Sequence, residues 1–173
     1  MATLVKETGS GLSNANSYAS AADGDAYHDL HMYATSWTGA NTATKEKALM
    51  MATRLLDANY LFYGKKLLKT QALQWPRDGV PDPDHADGRD FLDDNEMPAD
   101  LVRATCELAR ELIVADRTQP PPGEGFKQIQ LVGSLMATFD KLDQPGVLTG
   151  EVKKLLAKWG MRIDRAAGRL VRT

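Results

Sequence analysis

The sequence predicts a mainly α-helical fold, in which a small helical bundle carries a β-hairpin insertion and an extended C-terminal helix and tail. Two long segments, residues 44–60 and residues 98–113, place apolar residues at helical spacing. A third segment, residues 128–139, alternates apolar and polar residues with the period of two typical of a half-buried hairpin. Because the strand pattern is confined to one segment, we expect helices to form the core.

Each predicted helix begins at a residue suited to that position. Ser20 can cap the first helix, with Asp23 three residues later in an arrangement close to a capping box. Pro98 fits the first position of the third helix, and Thr149 fits the N-cap of the last. The second helix has the clearest apolar stripe, which consists of Ala48, Leu49, Ala52, Leu55, Leu56 and Tyr60.

A run of three prolines and a glycine at residues 120–123 marks the main boundary in the chain. We therefore divide it into residues 1–119, a helical core with a long acidic loop at 76–97; residues 120–148, a Pro-rich linker and hairpin; and residues 149–173, a C-terminal helix and basic tail. A two-stranded hairpin is marginal in water. We expect its apolar face to pack on the helices or on a neighbouring subunit through Ile129, Leu131, Leu135 and Phe139.

Charge is sorted along the chain, although the formal net charge is only −2. Residues 82–100 contain eight acidic residues against Arg89, and residues 153–173 contain seven cationic residues against Asp164. Charge sorted in this way is typical of a protein that meets partners. The pI of about 5.9 argues against a general nucleic-acid binder, since such domains are usually basic.

No combination of residues adds up to a catalytic or metal site, so the sequence predicts neither an enzyme nor a bound metal or cofactor. His28 and His31 could share a helix face, but surface histidines explain them better than a metal site that needs more ligands. The acids of residues 82–87 depart from the spacing of a calcium loop. Cys106 lies in an apolar helical pattern and is expected in the core. No apolar run approaches the roughly 20 residues that span a bilayer, so we expect no membrane contact.

Five segments carry specific patterns: Gly11-Leu-Ser-Asn14-Ala-Asn16-Ser17-Tyr18-Ala-Ser20, Asp25-Ala-Tyr27-His28, Ala52-Thr-Arg54-Leu-Leu-Asp57, Gln71-Ala-Leu-Gln-Trp75-Pro76-Arg77 and Met97-Pro98-Ala-Asp-Leu-Val-Arg-Ala104-Thr-Cys-Glu107-Leu-Ala109. Their order and spacing resemble the head-tail connector (adaptor) proteins of tailed bacteriophages. Members of that group are often labelled DnaT-like single-stranded-DNA-binding proteins. The resemblance covers residues 8–115, and its most specific parts are the opening segment and the Trp-Pro-Arg segment.

The resemblance implies a subunit of a homo-oligomeric ring, expected to be dodecameric, that is made in the host cytoplasm and lies in the neck of the virion. The ring would join the portal protein to the next neck or tail-completion protein, and genome DNA would pass through without specific binding. The C-terminal segment would contact the portal through Arg162, Arg165, Arg169, Leu170 and Arg172. The acidic loop would face the channel and repel phosphates through Asp82, Asp84, Asp87 and Asp90.

The alternative, which the DnaT-like label implies, is a single-stranded-DNA-binding module. The tail arginines would line one side of a helix and could meet phosphates or acidic residues of another protein, although a disordered, solubilising terminus explains them equally well. The net charge and the single nearby aromatic residue, Trp159, favour the connector over this alternative. A small enzyme ranks third.

Overall fold

The computed structural model of the chain describes residues 3–84, 90–119 and 146–163, and the backbone of residues 128–131 and 135–138. These residues contain five helices: α1 Ala21–His28, α2 Thr35–Thr38, α3 Thr42–Asn59, α4 Ala99–Val114 and α5 Gly150–Leu156. They also contain six short strands: β1 Tyr60–Phe62, β2 Lys65–Lys66, β3 Arg77–Asp78, β4 Gln128–Leu131, β5 Leu135–Thr138 and β6 Gly160–Arg162. The strands pair as three antiparallel two-stranded sheets, β1–β6, β2–β3 and β4–β5.

The prediction of a mainly α-helical bundle is wrong, because the structure is a small mixed α/β domain. The predicted hairpin is present as β4–β5, with Leu131 opposite Leu135. The error lies in β1, β2, β3 and β6, which are two or three residues long and too short to show a period of two. Sequence periodicity assigns Tyr60 to the end of a helix and Met161 to the tail, whereas both belong to one sheet.

The helix starts agree closely with the sequence. Ser20 and Asp23 form the reciprocal capping box, in which Ser20 Oγ accepts from the Asp23 N–H at 3.2 Å and Asp23 Oδ2 accepts from the Ser20 N–H at 2.7 Å. Thr149 caps α5 by accepting from the Val152 N–H at 3.3 Å. Pro98 occupies the N-cap of α4, one residue before the position predicted for it.

The core lies where α4 packs against α3 on one side and against α5 on the other. These three helices bury a continuous set of apolar side chains: Leu49, Ala52, Leu56, Leu101, Ala104, Leu108, Val152 and Leu156. Trp37, Trp75 and Cys106 are also fully buried. Burial of each Leu or Val side chain stabilises the fold by about 1.5–3 kcal/mol. Because α5 contributes Val152 and Leu156, the first part of the predicted C-terminal segment belongs to the core.

The N-terminal segment is irregular, as predicted, but it is organised around one buried carboxylate. Glu7 Oε1 accepts from the backbone N–H groups of Thr8, Gly9 and Gly11, each at 3.0 Å, and Glu7 Oε2 accepts from the Leu12 N–H at 2.9 Å. Glu7 is only 1% exposed. The glycine-rich turn therefore directs its N–H groups at an acid of its own chain.

A second polar cluster joins three of the segments on which the family resemblance depends. Tyr18 Oη donates a hydrogen bond to Asp57 Oδ1 and accepts from the backbone N–H groups of Gln74 and Trp75, at 3.1 and 3.2 Å. Asp57 Oδ2 also accepts from the Gln74 N–H at 3.1 Å. This cluster fixes the Trp-Pro-Arg segment against α3, and so determines where Arg77 lies.

Candidate nucleic-acid interface

The β1–β6 ribbon has one buried face and one face turned to solvent. On the buried face, the rings of Tyr60 and Phe62 stack with centroids 5.7 Å apart, and Phe62 and Trp75 form a T-shaped pair with centroids 5.9 Å apart. Leu61 and Met161 are directly opposite each other in the register, and they are 59% and 58% exposed. The alternation of side chains along a strand explains this division.

Two further residues extend the exposed face beyond the paired positions. The Tyr63 N–H donates to Trp159 O at 3.1 Å, and the Ile163 N–H donates to Asn59 O at 2.8 Å. Tyr63 is 38% exposed and Ile163 is 54% exposed. We define Leu61, Tyr63, Met161 and Ile163 as the ribbon face.

The backbone of the ribbon is held in place from both strands. Arg77 Nε donates to Tyr63 O at 2.6 Å, and Arg77 Nη2 donates to Gly64 O at 2.7 Å. On the other strand, a Cβ added to Gly160 would lie 2.6 Å from Leu61 O, so only glycine allows this close approach of the two strands.

The ribbon joins the two most basic described segments of the chain. Residues 60–78, which contain β1, carry four cationic residues against Asp78, and residues 146–163, which contain β6, carry four against Glu151. These cationic residues are Lys65, Lys66, Lys69 and Arg77 in the first segment, and Lys153, Lys154, Lys158 and Arg162 in the second. Pairing of β1 with β6 brings the two segments side by side. We define residues 60–69 and 153–163 as the basic surface.

Some of these cations are held by acids of the same chain. Lys158 Nζ lies 3.0 Å from Asp100 Oδ2 and 3.8 Å from Asp84 Oδ2, and it also lies over the Trp159 ring at 5.2 Å from the centroid. The hydrogen bond to Asp100 raises the pKa of Lys158. Burial acts to raise the pKa of Asp100, but the hydrogen bonds from Lys158 and Trp159 outweigh it and lower that pKa. Lys65 pairs with Asp78 at 2.9 Å in the same way.

The structure describes only part of the predicted site residues. Arg162 is exposed in β6, whereas the other tail residues assigned to the portal lie outside the described residues: Arg165, Arg169, Leu170 and Arg172. Of the hairpin residues assigned to subunit contact, Ile129, Leu131 and Leu135 are described as backbone, and Phe139 lies outside.

Asp84 of the acidic loop lies beside the basic surface, a contact that the sequence does not predict. The Asp82 N–H donates to Asp90 O at 3.0 Å, which closes the base of the loop, and Asp84 reaches towards Lys158. Asp87 lies outside the described residues. The sequence analysis did not identify the four residues of the ribbon face. They lie in two segments far apart in the chain, and each segment contributes only two apolar residues.

The histidines are not the surface pair that the sequence suggests. His28 is 1% exposed, its ring lies against Trp37 with centroids 4.9 Å apart and planes tilted by 40°, and its Nε2 lies 3.1 Å from Cys106 O. Burial lowers the pKa of His28. His31 lies beyond the end of α1. Among the described residues, no group of His, Cys, Asp or Glu is arranged to hold a metal ion, and no helix is long and apolar enough to cross a membrane.

Comparison with known proteins identifies one family. A family model described as "Putative DnaT-like ssDNA binding protein" matches residues 2–173, almost the full length of the chain. No curated protein and no solved structure matches.

This match overturns the connector prediction and supports the alternative. The description names single-stranded DNA, which contradicts the expectation that DNA passes without specific binding, and nothing in the comparison supports a ring, a portal protein or a tail-completion protein as partners. The prediction placed too much weight on the net charge and too little on where the cations lie. The chain belongs to the family of DnaT-like single-stranded-DNA-binding proteins.

Proposed function

We propose that this protein binds single-stranded DNA along the basic surface beside the β1–β6 ribbon. The observation that carries the proposal is the pairing of β1 with β6, which joins a segment with three cations, residues 60–69, to a segment with four, residues 153–163. The family description supports DNA as the partner. The sequence continues directly from β6 into Arg165, Arg169 and Arg172, which adds cations to the same end of the chain.

The net charge of −2 does not oppose this function, because the charges are separated in space. Phosphates respond to the local potential of a surface more than to the total charge of the protein. Each phosphate that a Lys or Arg neutralises releases condensed counterions, which favours binding at low salt. Eight acids are concentrated in the sequence at residues 82–100, outside the basic surface, and of the described ones Asp84 and Asp100 lie beside it.

The existing ion pairs of the basic surface do not prevent phosphate binding. Lys154 lies 3.5 Å from Glu151, and both side chains are more than half exposed. Exposed pairs of this kind contribute only about 0–1 kcal/mol, so a phosphate can replace the acid at little cost.

The proposal is tested by the salt dependence of binding to a fluorescently labelled oligo-dT, measured by anisotropy. We expect the wild-type protein to lose affinity steeply as salt rises, and we expect Lys154→Gln/Arg162→Gln to reduce the log–log slope by about 0.7 for each phosphate contact removed. Lys47→Gln is the matched control, because Lys47 is exposed near the opposite end of α3. An absence of binding by the wild type at low salt, or equal slopes for the double variant and the control, would contradict the proposal.

A further inference from the structure

The ribbon face exposes four apolar or aromatic side chains close to one another. Leu61 and Met161 are cross-strand partners, so their Cβ atoms lie about 5 Å apart. Tyr63 follows two residues after Leu61, and Ile163 two residues after Met161, so the face extends diagonally across the ribbon for about 13 Å. A contiguous exposed apolar patch marks a binding surface, whereas single exposed apolar residues do not.

We propose that the ribbon face contacts the unpaired bases of the bound strand, with Tyr63 as a stacking ring and Leu61, Met161 and Ile163 as the apolar surface beside it. The inference rests on the proposed function and explains why the protein would prefer single-stranded to double-stranded DNA. Bases in a duplex stack on one another and present only their edges in the grooves. Only an unpaired strand can turn a base face towards the ribbon while its phosphates remain on the flanking cations.

The charges around the ribbon face favour a nucleic acid over a second copy of this chain. Lys65 and Lys66 follow Tyr63 within three residues, and Lys65 is exposed. Two copies that met through their ribbon faces would bring these cations towards each other, and juxtaposed like charges oppose association. A strand of DNA supplies an anion for the cations and an apolar ring for the face at the same time.

Tyr63 is held ready for this contact before DNA arrives. Its N–H is bound to Trp159 O and its carbonyl oxygen to Arg77 Nε, so the backbone is fixed from both sides. A ring on a fixed backbone loses little freedom on binding, which improves affinity without any additional contact.

The test compares Leu61→Ala/Tyr63→Ala with the wild type on oligo-dT and on a duplex of equal length. We expect affinity for oligo-dT to fall about tenfold or more, because base stacking on an aromatic ring is a large term. We expect affinity for the duplex to change less than twofold, and the salt slope to stay that of the wild type. Leu30→Ala/Met32→Ala is the matched control, since these residues are 91% and 84% exposed in the loop after α1.

The outcomes separate this inference from the proposed function. Equal losses on single strand and duplex, or no loss on either, would overturn the base contact while salt-dependent binding remained. Light scattering gives the mass of the wild type and of Leu61→Ala/Tyr63→Ala. A dimeric wild type and a monomeric variant would show that the ribbon face joins two copies and would also overturn the base contact. Failure of the wild type to bind oligo-dT at low salt would refute the proposed function, and the inference with it.

Discussion

At the residue scale, Asp57 has the clearest conflict between its charge and its surroundings. Burial raises the pKa of Asp57 to about 6, even though hydrogen bonds from Tyr18 and the Gln74 N–H favour the ionised form. The pKa of Tyr18 is also raised, first by burial and then by the charge of Asp57. The cluster that positions Arg77, and through it the ribbon, is thus sensitive to pH.

The sign of this effect follows from the two states of the protein. The folded pKa lies above the ordinary value of 3.8, so the folded state binds the proton more tightly than the unfolded state. The contribution of Asp57 to stability is therefore largest below pH 4 and is lost as the pH rises to about 6 and beyond, by up to about 3 kcal/mol in total. His28 acts in the opposite direction, because its lowered pKa makes the fold more stable as the pH rises through 6.5.

We predict that Asp57→Asn removes the Asp57 part of this pH dependence. Asparagine keeps one oxygen acceptor at this position but cannot ionise. The free energy of unfolding of the variant, measured by urea denaturation, should increase relative to that of the wild type between pH 4.5 and pH 7.5. The comparison with the wild type cancels the contribution of His28. A difference between the two proteins that is constant across this range would contradict the prediction.

The buried position of Glu7 could not be predicted from the sequence. The pattern Gly9-Ser10-Gly11 is too short to indicate a phosphate loop, and the structure explains the glycines in another way, since Gly9 and Gly11 adopt φ values of +95° and +70°. A carboxylate four residues before Gly11 accepts the N–H groups of this turn. Nothing in the composition of the segment indicates that its acid is buried, because Glu is among the residues least often buried.

At the scale of elements, the acidic loop and the basic surface meet at Lys158. Asp100 belongs to the first turn of α4 and holds Lys158 at 3.0 Å, whereas Asp84 approaches it from the loop at 3.8 Å with a side chain that is 81% exposed. Asp84 therefore stands where a phosphate would compete for the same ammonium group.

We predict that Asp84→Asn increases affinity for oligo-dT, by about two- to fivefold at low salt, since a surface charge pair contributes up to about 1 kcal/mol. Asp93→Asn is the control, because it removes the same charge from an exposed position of the same loop. Anisotropy titrations of both variants at low and high salt check the prediction. Equal gains for the two variants would mean that only the total charge matters, and not the contact with Lys158.

The elements also show how far the sequence determines the fold. The long helices α3 and α4 could be predicted because their apolar stripes repeat over several turns, and the caps at Ser20 and Thr149 follow from local chemistry. β1 and β6 could not, because three residues carry too little periodicity and their partners lie far apart in the chain. The ribbon face depends on that long-range pairing, so it could not be predicted either.

At the scale of the whole molecule, the arrangement of charge matters more than its sum. The sequence showed an acidic segment and a basic segment, and the net charge of −2 directed the interpretation away from DNA. In the folded chain, residues 153–163 of the basic segment are joined by a second basic segment at residues 60–78, which composition alone does not single out. The sum of charges is a property of the composition, whereas the binding surface is a property of the fold.

The most direct test of the account is amide hydrogen exchange of the wild-type protein with and without oligo-dT at low salt. If the strand lies on the basic surface and the ribbon face, exchange should slow in residues 60–66 and 158–163 and stay unchanged in the loop at residues 29–34. Slowing confined to other segments, or no change anywhere at saturating oligonucleotide, would contradict the account.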